Sequence, residues 1–134
     1  MSSGKEKWVG LGLLWLRLIA GAGIAYHGYG KVFGGHMGML TEGVTKMGFP
    51  MPVVFAWAAA LSEFAGGILL ALGLLARPAA FFIFCTMTVA AFVVHGKDPL
   101  NVKELAFAYW AVAGALMLTG PGDLSLDKLF FKKG

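Results

Sequence analysis

Charge is what this chain has least of. Asp, Glu, Lys and Arg make up 13% of its 134 residues, against roughly 25% in an ordinary soluble domain. Cysteine is almost absent: Cys85 stands alone, which excludes an intramolecular disulfide and a dithiol redox pair. The few charges sum to a formal +4 and scatter to the ends of apolar runs, where lysines and arginines set membrane topology. No basic face interleaved with stacking aromatics is present, so nucleic acid is excluded as a partner. Also missing is any polar stretch long enough for a soluble catalytic domain. Chemistry is therefore expected inside the membrane or on a partner chain.

Hydrophobic residues fill 58% of the sequence. A hydrocarbon core of about 30 Å takes roughly 20 apolar residues per helical crossing. The runs predict an all-α fold, an integral membrane four-helix bundle in a single domain over residues 1–134, with helices at 8–33, 52–76, 78–96 and 103–120. Pro50 and Pro52, Arg77-Pro78, Gly96-Lys97-Asp98-Pro99 and Gly120-Pro121-Gly122 supply the breaks between and after them. The N-terminal run is expected to stay as the first helix, because it ends in His27 and Lys31 rather than at a small-residue cleavage site. Its glycines, from Gly10 to Gly30, suit close helix packing in lipid. Between the first two crossings, Met37, Leu40, Val44 and Met47 recur at helical spacing opposite Glu42 and Lys46, which predicts a short amphipathic helix at the interface. Lys5, Lys7, Arg77, Lys128, Lys132 and Lys133 would share one side. Lys31, Lys46, Lys97 and Lys103 would take the other. That imbalance favours both termini in the cytoplasm and a chain integral to the cytoplasmic (inner) membrane.

Ionisable residues within such helices are costly and are functional candidates by default. Here they are Arg17, His27, Lys31, Glu63, His95 and Glu104. At 1.5 Å per residue, Arg17 and Glu63 count to similar depths of about 12–15 Å, so an Arg17–Glu63 ion pair is expected across the first two crossings. Arg17, His27 and Lys31 fall within an arc of about 80° on the first helix. His27, Lys31, His95 and Glu104 come from three helices at comparable depth. The implied picture is a polar pocket opening outward over a charged floor, with Tyr26, Tyr29 or Trp57 packing on a ring. Proton-handling groups beside an apolar slot suit a quinone. A bis-histidine haem on His27 and His95 is a competing reading, as is a metal held by His27, His95, Glu63 and Glu104, although the Glu-x-x-His spacing of di-iron bundles is lacking.

Arg17-Leu18, then Tyr26-His27-Gly28-Tyr29-Gly30-Lys31, resembles the opening signature of the DoxX family. Glu63-Phe64-Ala65-Gly66-Gly67 running on to Leu72-Gly73-Leu74-Leu75-Ala76-Arg77 does so too. His95, Glu104 and Gly120-Pro121-Gly122 with Ser125 and Asp127 complete the order. The family takes its name from a subunit of a thiosulfate:quinone oxidoreductase, and the resemblance implies a quinone-linked redox role. The expected function is thus the membrane component of such an oxidoreductase, with an oxidoreductase partner subunit and quinone as cofactor. Glu63, His27 and Arg17 are the expected catalytic set. His95, Glu104, Lys31, Tyr26 and Trp57 are expected to bind the ligand. Two readings compete: a non-catalytic scaffold or assembly subunit, and a small transporter. Homodimerisation through the glycine-rich first helix is a further expectation.

Overall fold

A computed structural model describes residues 4–94 and 97–131, and every regular element among them is helical. The helices are α1 (Gly4–Phe33), α2 (Met37–Lys46), α3 (Pro52–Leu72), α4 (Ala76–Val89), α5 (Leu100–Thr119) and α6 (Leu126–Phe131). A π-helical turn, Ala90–Val94, prolongs α4. Among the described residues, three helices are long and apolar enough to cross a membrane: α1, α3, and α4 together with its π turn.

Local chemistry sets the boundaries. Met51 takes a left-handed conformation and Pro52 opens α3, where its missing N–H costs no helical hydrogen bond. Gly73 closes α3 with a positive φ of 70°. Its N–H donates to Leu70 O and that of Leu74 to Leu69 O, the paired bonds of a Schellman cap. Leu75, also left-handed, leads into α4. Asp127 secures that turn: Leu75 N and Ala76 N donate to its two carboxylate oxygens at 2.7 and 2.9 Å. An acid from the chain's far end thus caps α4 as an N-cap residue would.

Small residues fix how α1 lies on α3. A Cβ built on Gly21 would sit 2.7 Å from Ala71 N, and one on Gly67 would sit 2.7 Å from Gly21 O. A Cβ on Gly28 would run into the backbone of Glu63 and Phe64. The helices therefore touch along Gly21 and Gly28 of α1 and Gly67 and Ala71 of α3, the small-residue contact by which helices associate in lipid. They run antiparallel and offset. The first turns of α1 extend past the end of α3, and the first turns of α3 extend past the end of α1.

Each overhang is covered. α2 leans on the start of α3 and buries Val44 there. The segment after α5 returns across the start of α1, where Gly122 packs on Leu13. α3 packs on α4 and α4 on α5, while α5 touches α1 only sparingly. Ile24, Leu70, Ala80, Ile83, Met87, Ala113 and Leu116 form the core. Beside it, Trp110 stacks on Phe84 at 5.6 Å and donates Nε1–H to Thr88 Oγ1 at 3.0 Å.

Candidate functional site

The expected Arg17–Glu63 pair does not form. Gly28, not Arg17, is level with Glu63. Arg17 lies eleven residues earlier on α1, about 16 Å along the axis. Counting depth from each helix's own end assumed ends flush with one another, and the offset defeats that count.

Arg17 instead holds the chain's returning C-terminal segment. It is 1% exposed. Nη1 donates to Pro121 O at 2.5 Å, and Nη2 donates to Leu124 O at 2.9 Å and Ala71 O at 3.5 Å. The guanidinium thus ties α1 to the end of α3 and to the loop after α5. Asp127 adds its charge nearby. Five N–H donors in a planar fork suit such a ring of carbonyls better than an ammonium would. Arg17 is accordingly an anchor of the fold, far from the other expected catalytic residues.

Glu63 pairs with Lys31 at 2.5 Å across the α1–α3 contact. Their side chains are 5% and 31% exposed, so the carboxylate is the inner member and the ammonium reaches outward. Tyr109 of α5 comes in from the side. Its hydroxyl lies against Gly23, its ring is 6.1 Å from His27, and it is within electrostatic reach of Glu63.

Lys31 leads to a cleft of about 980 Å³. One wall is the last turns of α1, with Tyr26, His27, Tyr29, Gly30 and Lys31. The second is His36, then Met39, Leu40, Gly43, Val44 and Lys46 of α2, with Met47 just beyond it. Val93 and Val94 of the π turn close the third side. π turns recur at functional sites because the extra residue displaces side chains from the regular helical path. The cleft exists because α2 leans on α3 and stands away from α1.

Of the expected site residues, Tyr26, His27 and Lys31 line this cleft and Glu63 lies directly behind Lys31. Trp57 does not line it: six residues from Glu63, it falls about 120° around α3 and is exposed. Glu104 is exposed on the second turn of α5 and is likewise not part of the cleft wall. α5 leans on α4, and Tyr109 is among the side chains it brings toward α1. His95 lies outside the described residues, so the bis-histidine pair rests on one described ligand, His27. Among the described residues no three His, Cys, Asp or Glu side chains converge as a metal-binding group.

Several contributors escaped sequence reasoning, His36, Tyr109 and the carbonyls that hold Arg17 among them. His36 sits in a connection, where no helical period marks it. Tyr109 carried a usable signal, a hydroxyl in an apolar run facing a glycine. The carbonyls of Pro121 and Leu124 carry none, since every residue has a carbonyl.

Long apolar helices, an ion pair buried between them and an adjoining apolar cleft define a helical membrane protein with a ligand-sized recess at one end of its bundle. The chain belongs to the DoxX family, whose family model matches residues 12–96, from α1 through the π turn. It is 36% identical over 135 residues to an uncharacterized protein of Haemophilus influenzae, covering 96% of this chain and 97% of that one. It is 31% identical to the inner membrane protein YqjF of Escherichia coli, covering 96% and 98%. With the inner membrane protein YphA of the same organism it shares 36% identity over 94 residues, covering 63% and 67%. No solved structure matches the chain.

Proposed function

We propose that this chain is the membrane component of a quinone-linked oxidoreductase in the cytoplasmic (inner) membrane, with the quinone held in the cleft between α1 and α2. The cleft carries the reading. Its size is within the roughly 300–1,000 Å³ of small-molecule sites, and its walls are largely apolar with a few convergent polar groups, as such sites are. Two relatives named as inner membrane proteins support the location. α5 is the fourth crossing in this reading, which makes the protein a four-helix bundle with α2 at the interface and both termini cytoplasmic.

Reducing a quinone to a quinol takes up two electrons and two protons. Electrons come from a partner oxidoreductase subunit. Protons come through His27 on the wall and through Lys31, with Glu63 behind it as the inner proton reservoir. Tyr26 and Tyr29 pack against the ring.

Gly43 offers a test that leaves the bundle alone. It lines the cleft, and a Cβ built on it meets nothing within 4 Å, so a larger side chain there projects into open space. The parent protein in nanodiscs is expected to bind a short-tailed benzoquinone saturably, one per chain, by isothermal titration. Gly43→Phe should abolish that binding with no change in thermal midpoint. Equal binding by Gly43→Phe would remove the cleft from consideration, and no binding by the parent would remove the quinone.

A further inference from the structure

We infer that the cleft selects the anionic form of its ligand, an acidic quinone whose ring carries an ionised hydroxyl. This rests on the quinone reading above and adds the charge state that the walls require. The ionisable groups on those walls are Lys31, Lys46, His27 and His36, with two tyrosines. Among the described residues no carboxylate lines the cleft.

The nearest acids leave those lysines with N–H donors to spare. Glu63 neutralises Lys31 but takes only one of its three N–H donors, through Oε2, and Lys31 lines the cleft. Glu42 stands 3.6 Å from Lys46, but both side chains are mostly exposed, at 69% and 76%. A pair of that kind contributes little and yields readily to a better partner. His27 and His36 add two imidazoles that can donate N–H to an oxygen.

A neutral ring filling this space would strip water from the N–H donors of the lysines and histidines and return only weak acceptors, and burying an unsatisfied polar group is costly. An ionised ring hydroxyl returns a charge-assisted hydrogen bond, about twice as strong as a neutral one. The apolar walls accept ring and tail equally well in either case. Discrimination therefore falls on the charge, since specificity is the difference between the two binding energies.

The experiment compares two probes in the full chain: 3-alkyl-2-hydroxy-1,4-naphthoquinone, ionised at neutral pH, and its 2-methoxy ether, which cannot ionise. Binding is measured by isothermal titration at pH 7 and low salt in phosphatidylcholine nanodiscs. The acid is expected to bind at least about tenfold more tightly. The double variant Lys46→Met/His36→Gln alters two exposed side chains of the cleft wall and should shrink that preference. Equal affinity for the two probes would leave the quinone reading standing and overturn the charge preference. No binding of either would overturn both. Displacement of the acid when phosphatidylglycerol replaces part of the lipid would assign the cations to a lipid headgroup and overturn the inference.

Discussion

Replacing Arg17 by methionine keeps a long, flexible side chain and removes the guanidinium. Two of its hydrogen bonds are well formed, to Pro121 O at 2.5 Å and Leu124 O at 2.9 Å, while the one to Ala71 O, at 3.5 Å, lies at the limit and adds little. Bonds to a charged donor contribute about 1.5–3 kcal/mol each, so the two together hold the segment with about 3–6 kcal/mol. Against this, Nε is buried without a partner, and relieving that unsatisfied donor returns about 1–3 kcal/mol. The net loss is about 3 kcal/mol, or roughly a hundredfold rise in the detached population. Detachment unfastens the backbone around Leu124 and Leu126, so limited chymotrypsin digestion in detergent reads it directly. Cleavage there tracks the open population when reclosing is fast. Arg17→Met is expected to be cut near residues 124–126 about a hundredfold faster than the parent, and Arg17→Lys, with charge but no fork, at an intermediate rate. Binding in the cleft, at the other end of α1, should be unchanged. Parental cleavage of Arg17→Met together with lost cleft binding would refute the anchor and restore Arg17 to the site.

Gly28→Ala places a Cβ into the backbone of Phe64 and must push α1 away from α3; overpacking costs about 1–3 kcal/mol, seen as a lower thermal midpoint in detergent. Gly12→Ala, whose Cβ meets nothing within 4 Å, should leave the midpoint unchanged or raise it. Lys31→Met strands the Glu63 carboxylate and should cost about 3–5 kcal/mol, whereas Lys31→Met/Glu63→Leu removes both charges and should recover most of that loss. Additive losses in the double variant, measured by unfolding in one detergent, would show that the pair is not coupled.

The helices were readable because their signals are local. Apolar runs, with Pro52 at one start and Gly120 at one end, mark them, although Gly73 stops α3 at Leu72 and not at the expected residue 76, and Ala76 already belongs to α4. The period of Met37, Leu40, Val44 and Met47 marked α2 in the same way. What could not be read is the offset of α1 against α3, because it depends on which small residues of one helix meet which of the other. Gly21 and Gly28 were visible, but nothing in the chain paired them with Ala71 and Glu63. That single unknown moved Arg17 out of the site and gave Glu63 to Lys31. Trp57 failed for a related reason: its helix was right, but its direction around the helix was not weighed against that of Glu63.

The offset also explains why the two ends of the bundle differ. Both overhangs expose helix surface that another segment must cover. At the start of α1 the cover is backbone, the returning segment 120–127, so its cation binds carbonyls and is fully enclosed. At the start of α3 the cover is α2, a separate amphipathic helix that reaches α3 without closing on α1. A gap remains beside the exposed edge of the Lys31–Glu63 pair. An ionisable residue in an apolar helix is therefore not a site by itself. Arg17 is buried and its fork is spent on main-chain oxygens, which is architecture. Lys31 is held by one acid and has donors left over toward an apolar recess, which is the arrangement that a ligand can use.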